Sequence, residues 1–299
     1  MEEHICSYIE YLRTVGGYSE KTAVAYEHDL RRFQNWMERH SVTLDDLTLE
    51  DARSFTVELY EQHLKPATIN RILSANRSFF HSLCEDGTIR VQPFKRIRRA
   101  KQGQRIPTVL SEDEINSILN YKCDNYDRLM EVTMFNMFYS TGCRLSELAD
   151  MKISDMDIPG RRVLVTGKGN KQRYVFLTER AVNMLNDYLP ARKEVLEKTG
   201  QEDEGTLLIN KKGRKLPLST IHIIFDRYRA ELGLTKKFTP HVFRHTFATR
   251  LLDNDSDIRI VQELLGHESI GTTQIYTHVT GKRLEKIYRD SHPHGRKDE

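Results

Sequence analysis

One short segment of the 299-residue chain places histidine and arginine at spacings that could support chemistry. Residues 239–245 read Thr-Pro-His-Val-Phe-Arg-His, where a threonine N-cap and a proline at the first helical position predict the start of a helix. His241 and His245 lie four residues apart on that helix and could ligate a metal ion. We predict no metal site, because a zinc motif of this spacing needs a glutamate after its first histidine and Arg244 would place a cation beside the metal. The alternative pattern, His241-x-x-Arg244, is common by chance, so its spacing alone decides nothing.

A run of basic residues is a second candidate for binding an anion, because no acidic residue interrupts it before Glu112. Its members are Arg90, Lys95, Arg96, Arg98, Arg99, Lys101 and Arg105. A charge run of this kind is often only a solvated segment. It would also lie well along the phosphate backbone of a nucleic acid. The run by itself leaves both interpretations open.

Helical periodicity dominates the residues that precede this run. Ser19 is an N-cap candidate ahead of an apolar stripe, and Thr48 with Asp51 forms a capping-box pattern ahead of a second helix. A third apolar stripe runs from Ile69 to Leu83, and a short apolar segment runs from Ile5 to Leu12. These segments predict a bundle of about four helices.

The chain length fits two domains at roughly 100–200 residues per domain. We predict an N-terminal helical domain over residues 1–88, a basic linker over 89–106 and a second domain over 107–299. The fold class predicted is mainly α, with a helical-bundle domain followed by an α-rich domain that contains a small antiparallel sheet.

The second domain begins at a capping box, Ser111 to Glu114, and continues with a buried helical stripe from Leu129 to Phe138. Apolar and β-branched runs at 162–165 and 173–177 flank Gly167-Lys168-Gly169-Asn170-Lys171, which predicts a hairpin with Lys168 at its tip. Leu207 to Ile209 is a candidate for a further short strand. Further helices are predicted at Ala181 to Val195, Ile221 to Leu232, Val242 to Leu252 and Ile258 to Leu265.

Composition excludes several classes of protein. Hydrophobic residues make up 38% and charged residues 30% of the chain, and 13 Tyr, 12 Phe and 1 Trp argue against a disordered protein. The net charge of +3 does not identify an anionic partner by itself. Four cysteines without a C-x-x-C pair and an acidic N-terminus indicate a reduced, cytoplasmic protein, and no apolar stretch is long enough to span a membrane.

Three motifs in one order along the chain carry a family resemblance. They are Thr141-Gly142-Cys143-Arg144-Leu145-Ser146-Glu147-Leu148, the Gly167-Lys168-Gly169 hairpin, and Leu264-Leu265-Gly266-His267-Glu268-Ser269-Ile270-Gly271-Thr272-Thr273-Gln274-Ile275-Tyr276-Thr277-His278. With the His241-x-x-Arg244 helix, they resemble the tyrosine recombinase family, also called phage integrases, and match the Xer-type recombinases best. The resemblance runs from Ser7 to Tyr288 and implies a core-binding domain, a linker and a catalytic domain.

The resemblance implies six catalytic positions, and all six carry the residue type expected. They are Arg144, Lys168, His241, Arg244, His267 and Tyr276. In such an enzyme the arginines bind the nonbridging oxygens of a DNA phosphate, the tyrosine attacks the phosphorus, and the lysine protonates the leaving 5′-oxygen. The resemblance implies no cofactor, no metal and no ATP, since the 3′-phosphotyrosyl bond keeps the energy of the broken bond.

The implied partners are double-stranded recombination sites and a homo- or hetero-tetramer with a like recombinase on two DNA duplexes, with an FtsK-type DNA translocase as a further candidate. The tail after Thr280 has Leu284, Ile287 and Tyr288 on one apolar face and must dock somewhere. It could pack against its own domain, whereas the resemblance implies donation to a neighbouring protomer.

The function implied is site-specific cleavage and rejoining of DNA through a Holliday junction, in chromosome dimer resolution. Integration of a mobile element uses the same residues and stays an alternative, as does a DNA-binding protein that does not cleave. A relaxing enzyme of the type IB topoisomerase kind would share the chemistry. The intact tyrosine and arginines argue against the non-cleaving protein, and the Xer-like motif around Tyr276 argues against the topoisomerase.

Overall fold

The computed structural model describes residues 1–101, 103, 108–167, 170–253, 261, 264–266, 288 and 292. The chain divides into two compact units, Met1–Arg105 and Ile106–Glu299. Both are mainly helical, and the second contains a small antiparallel sheet, which confirms the predicted fold class. No helix in the described part of the chain is long and apolar enough to cross a membrane.

The first unit is built from the predicted helices, and two of them begin at the predicted caps, Ser19 and Thr48. The helices are α1 (Glu2–Thr14), α2 (Glu20–Arg39), α3 (Leu49–Glu61) and α4 (Pro66–Glu85). The Ser19 side chain accepts the N–H of Thr22, and Thr48 and Asp51 form a reciprocal capping box. Each cap satisfies backbone donors that the first turn of a helix leaves unpaired.

Aromatic rings fill the core of the first unit. Phe33 on α2 is fully buried, and its ring centroid lies 4.8 Å from that of Phe55, 5.0 Å from that of Phe94 and 5.6 Å from that of Phe80. These pairs meet edge to face, the arrangement that the ring quadrupole favours.

Most of the predicted linker packs against this core. Phe94, Ile97 and Ala100 recur every third residue and are buried, whereas the basic residues between them are exposed. The side chain of Asn70 on α4 accepts the Ala100 N–H at 2.8 Å and donates to its carbonyl at 3.0 Å. Arg77 donates to the carbonyls of Phe94 and Ile97. Residues 89–101 therefore belong to the first unit, because the apolar spacing hidden in the charge run anchors them.

The second unit is arranged around one buried helix. Its helices are α5 (Glu112–Leu119), α6 (Tyr126–Thr141), α7 (Leu145–Ala149), α8 (Glu179–Thr199), α9 (Leu218–Glu231) and α10 (Pro240–Asp253). Every residue of α6 from Met130 to Thr141 is buried, so this helix lies inside the unit.

The sheet consists of β1 (Met156–Asp157), β2 (Arg162–Thr166) and β3 (Gln172–Phe176) in that order, all antiparallel. The hairpin of β2 and β3 confirms the prediction. The strand proposed at Leu207 to Ile209 is wrong, because that segment forms only an isolated bridge between Ile209 and Lys215. The third strand is instead β1, which is too short to show a periodic pattern.

The end of the chain is described at a few positions. Of the helix predicted over residues 258–265, Val261, Leu264 and Leu265 are described, and all three are helical and buried. Tyr288 is buried within its own unit, and its hydroxyl donates to the Ser140 carbonyl at 2.8 Å. Donation of the tail to a neighbouring protomer stays a prediction, and residues 267–287 lie outside the described residues.

Candidate active site

A sharp turn at the end of α6 places Arg144. The helix ends at Thr141, and Gly142 adopts a left-handed conformation with φ of 56°. Any Cβ at Gly142 would collide with the ring of Phe247 on α10, so the turn needs glycine for both its conformation and its space. Arg144 follows as the N-cap of α7, where its backbone N–H donates to Glu147 at 2.7 Å.

The beginning of α10 carries His241 and Arg244. The Thr239 hydroxyl accepts the Val242 N–H at 3.3 Å, so the predicted N-cap is confirmed. Pro240 opens the helix, where its missing N–H has no cost. His241 is exposed and Arg244, one turn later on the same face, is partly buried.

The side chains of Arg144 and Arg244 converge on neighbouring carbonyls. Arg144 Nη2 donates to the Gly266 carbonyl at 2.7 Å, and Arg244 Nη2 donates to the Leu265 carbonyl at 2.6 Å. Arg244 Nη1 also donates to the Gly142 carbonyl at 2.8 Å, which ties α10 to the turn before Arg144. Two of the predicted arginines are thus brought together from positions one hundred residues apart.

A third arginine joins this cluster. Arg173 on β3 has a 7% exposed side chain, and its Nε donates to the Leu264 carbonyl at 3.0 Å. Its two Nη atoms donate to the two oxygens of Glu147 at 3.0 Å and 2.8 Å. The sequence motifs did not single out Arg173. Its position in the strand offered a signal. Arg173 lies two residues before buried Val175 on β3, so the two side chains share one face of the sheet, and Arg173 points inward despite its charge.

Burial and the charges of the cluster shift the pKa values of Glu147 and Arg244. Burial favours the neutral form of Glu147, but hydrogen bonds from Arg173 and from the Arg144 backbone outweigh it and lower the pKa to about 2. Burial, with the nearby charge of Arg144, lowers the pKa of Arg244 to about 10. At neutral pH the cluster therefore holds three cations around one carboxylate.

The described structure places three of the six predicted catalytic residues, Arg144, His241 and Arg244. Lys168, His267 and Tyr276 lie outside the described residues, and their roles stay predictions. The residues next to two of them are described. A Cβ at Gly167 would lie 3.1 Å from Glu147 Oε1, so the strand end before Lys168 adjoins the cluster, and Gly266, which precedes His267, is bound by Arg144.

Among the described residues, no group of His, Cys, Asp and Glu side chains is arranged to hold a metal ion. His241 is exposed and His245 is partly buried one turn further along α10. What the described cluster offers instead is fixed cationic donors, which suit an anionic group with tetrahedral oxygens.

Comparison with known proteins finds family models that match both units of the chain. The family model described as the phage integrase family matches residues 108–283, and that of the phage integrase N-terminal SAM-like domain matches residues 5–87. The tyrosine recombinase XerC of Treponema denticola is 36% identical over 98% of this chain and 100% of its own length. The tyrosine recombinase XerD of Oceanobacillus iheyensis is 36% identical over 98% and 99%.

A solved structure of the XerH site-specific recombinase, bound to a palindromic difH substrate in a post-cleavage complex, superposes with a TM-score of 0.70 at 25% identity, covering 88% of this chain and 78% of that one. On the matched motifs, the two domain models and relatives that align over nearly their whole length, the chain belongs to the phage integrase family and is a tyrosine recombinase.

Proposed function

We propose that this chain cleaves and rejoins double-stranded DNA at a specific site, with Tyr276 as the nucleophile. The observation that carries the proposal is the binding of Arg144 and Arg244 to the carbonyls of Gly266 and Leu265. The segment that contains His267 and Tyr276 begins at the next residue. The arginines that would bind the phosphate are thus fixed to the start of the segment that would attack it.

The first step forms a bond between the Tyr276 oxygen and phosphorus and breaks the bond from phosphorus to the 5′-oxygen. A tyrosine with a pKa near 10 is almost wholly protonated at neutral pH, so attack needs a proton acceptor, and we assign that role to His241. Arg144 and Arg244 stabilise the charge that builds on the nonbridging oxygens, and we expect His267 to contribute a further hydrogen bond.

Lys168 donates a proton to the leaving 5′-oxygen in this scheme. The products are a 3′-phosphotyrosyl bond and a free 5′-hydroxyl, and attack by another 5′-hydroxyl reverses the step and rejoins the strand. The reaction balances without nucleotide hydrolysis, because one phosphodiester bond is exchanged for another.

The first unit would hold the DNA that the second unit cuts. A groove of about 1020 Å³ on the first unit is lined by several basic side chains, among them Arg77, Arg90, Lys95, Arg96 and Arg99. Such a surface can neutralise backbone phosphates without reading bases. We assign residues 1–88 with the packed strap 89–101 to core binding and residues 107–299 to catalysis.

We propose chromosome dimer resolution in the cytoplasm as the biological setting, on the resemblance to Xer-type recombinases. The active assembly would be a tetramer of this chain, alone or with a like recombinase, on two duplexes, and an FtsK-type translocase is a candidate for controlling it. Sequencing the DNA that forms a covalent adduct in cells would distinguish a chromosomal site from the ends of a mobile element.

A nicked suicide duplex carrying the site recovered in that way tests the proposal directly. Loss of the short strand next to the nick prevents rejoining, so we expect a covalent protein-DNA adduct that resists denaturation. Tyr276→Phe should form none while binding the duplex with unchanged affinity.

Tyr60→Phe is the matched control, since Tyr60 is 48% exposed on α3, and it should form adduct at the normal rate. Adduct formation by Tyr276→Phe would refute the assigned nucleophile. Absence of adduct from the unaltered, folded chain would favour a DNA-binding protein that does not cleave.

A further inference from the structure

All three guanidinium nitrogens of Arg173 donate hydrogen bonds, and two of them donate to Glu147. Glu147 Oε1 accepts from Arg144 Nη1 at 2.9 Å and from Arg173 Nη1 at 3.0 Å. Glu147 Oε2 accepts from the Arg144 backbone N–H at 2.7 Å and from Arg173 Nη2 at 2.8 Å. One buried carboxylate is therefore shared between two arginines, through both of its oxygens.

The sharing of Glu147 between two arginines changes the charge balance at Arg144. A buried carboxylate that faced Arg144 alone would hold it as a closed ion pair, with little net charge left for a phosphate. With Arg173 as a second partner, the trio of Arg144, Arg173 and Glu147 keeps one net positive charge. Arg173 itself is too deeply buried, at 7% exposed, to be the group that meets DNA.

Arg173 also reaches the end of a helical segment. The carbonyls of Leu264, Leu265 and Gly266 accept from Arg173, Arg244 and Arg144 respectively. Carbonyls in the last turn of a helix have no intrahelical donor and favour cations.

Gly266 adopts a φ of 67° and closes this segment. A Cβ at Gly266 would lie 3.2 Å from the Arg173 guanidinium, so glycine lets the arginine approach.

We propose that Arg173 is a positioning residue for strand cleavage, which neutralises Glu147 so that Arg144 stays available to the phosphate and fixes the chain where it enters the segment of Tyr276. This inference rests on the proposed function. Arg173 touches neither substrate nor reacting atoms in this scheme, and it acts through Glu147 and the Leu264 carbonyl.

The decisive experiment is a pair of variants measured by single-turnover cleavage of the suicide duplex. Arg173→Gln leaves Glu147 charged, with Arg144 as the remaining arginine that hydrogen-bonds it. We expect cleavage about 10²-fold slower, the cost typical of a misplaced catalytic group. Duplex affinity should be nearly unchanged. Adding Glu147→Gln to the same chain removes the surplus negative charge, and we expect it to restore at least about tenfold of the loss.

Arg192 on α8 provides a matched control. Its side chain is 4% exposed and donates to both oxygens of Asp203, at 2.8 Å and 2.5 Å, but it lies outside the cluster. Arg192→Gln should lower the unfolding midpoint in urea and leave the cleavage rate of the folded protein unchanged. A purely structural role for Arg173 would make the two glutamine variants behave alike.

A conservative variant guards against loss of folding. Arg173→Lys keeps a charge near Glu147 but lacks the planar fork, so we expect cleavage between that of the unaltered chain and Arg173→Gln. If Arg173→Gln does not fold, Arg173→Lys decides alone. Cleavage by folded Arg173→Lys or Arg173→Gln at the unaltered rate overturns the proposal, and so does a double variant no faster than Arg173→Gln.

A measurement without DNA separates this inference from the proposed function. Glu147 is faced by Arg144, Arg173 and Arg244 and by the Cys143 thiol. Its pKa lies below the ordinary value only while its cationic partners remain, so removing Arg173 should raise it. The gap in urea midpoint between the unaltered chain and Arg173→Gln should be largest at pH 7 and shrink toward pH 3.

A gap independent of pH would overturn the action of Arg173 through Glu147. If the unaltered chain formed no adduct, the proposed function would fail instead, and the pH dependence would still decide whether Arg173 neutralises Glu147.

Discussion

The two units of this recombinase bury their ion pairs to different degrees. In the described part of the first unit, the arginines that form ion pairs are 41–58% exposed, including Arg71, whose partner Asp29 is 1% exposed. In the second unit, Glu147 and Arg173 pair with side chains that are 3% and 7% exposed. In the first unit, the interior is instead filled by the aromatic core.

The difference indicates which interactions stabilise each unit. Exposed ion pairs contribute about 0–1 kcal/mol, so the first unit depends on apolar packing. A buried ion pair must offset a desolvation cost of several kcal/mol per ion and needs full hydrogen bonding to do so. The second unit accepts that cost at the cluster where fixed charge is useful for chemistry.

The largest effect is expected at Lys168. Lys168→Ala should slow cleavage by about 10²–10⁴, because the leaving 5′-oxygen loses its proton donor. A duplex with sulfur in place of that oxygen should cleave at nearly the normal rate, since a thiolate leaves without a proton. Arg144→Ala and Arg244→Ala should stay about 10²–10³ slow on the sulfur duplex.

Lys171→Ala is the control for this series, because Lys171 is an exposed residue of the same hairpin and should be dispensable. Equal rescue of all three variants by sulfur would remove Lys168 as the general acid.

The aromatic core of the first unit should respond in stability and not in chemistry. Phe33→Ala should lower the free energy of unfolding of that unit by about 3–5 kcal/mol, since it leaves a cavity among four aromatic rings. Trp36, the single tryptophan of the chain, stacks on Phe33 at 5.8 Å, so its fluorescence during urea unfolding reports this unit. Val57→Ala, at a side chain 55% exposed, should leave the transition in place. A loss below about 1 kcal/mol would contradict the assigned role of the core.

The second unit should lose stability in acid through Glu147. Its pKa in the folded state is about 2, against 4.5 as the ordinary value, so ionised Glu147 stabilises the fold above pH 4.5. The contribution, about 3 kcal/mol, should disappear as pH falls from about 5 to 2. Hydrogen exchange of the α7 amides measures it, and Glu147→Gln should flatten the profile.

Glu197→Gln, at a side chain 64% exposed on α8, is the matching control and should keep the pH dependence. A profile for Glu147→Gln as steep as that of the unaltered chain would show that other carboxylates dominate.

The smallest effect concerns the strap of the first unit. Reversing charge at Arg96, Arg98 and Arg99 should reduce the slope of log affinity against log salt by up to about 2.7, at about 0.9 for each phosphate that the strap no longer neutralises. Mobility shifts between 50 and 200 mM salt would suffice. Reversal at Lys193 and Lys198, which pair with glutamates one turn away on α8, should leave the slope unchanged. An unchanged slope for the strap variant would place it off the DNA backbone.

Local signals in the sequence predicted most helices and their caps, because a helix depends on neighbours within a few residues. The capping boxes at Thr48 and Ser111 both formed as the pattern indicated. The packing of residues 89–101 was hidden, because charge dominated the pattern and Phe94 makes its contacts with distant residues.

The residues of the site also divide into those that local sequence patterns predicted and those that depend on distant contacts. Arg144, His241 and Arg244 were predicted by motif, and the described structure shows how the two arginines meet. Glu147 lies three residues after Arg144, a spacing at which two side chains of one helix can pair. Its contact with Arg173 spans 26 residues and that of Arg173 with Leu264 spans 91, and no periodic pattern encodes such distances.

Tyr288 is buried within its own chain, so the tail of another molecule could take this position only in competition with it. The outcome of that competition depends on concentration. Its ring centroid lies 5.5 Å from that of Phe176, and its hydroxyl donates to Ser140 of the same chain. Residues 267–287 connect this anchor covalently to Gly266, and a tether of that kind supplies a local concentration on the order of millimolar. A tail from another molecule at micromolar concentration is about a thousandfold rarer, which amounts to about 4 kcal/mol. A free chain is therefore expected to keep its own tail, and the tail of a neighbour would compete only at a similar local concentration, such as a shared duplex would provide.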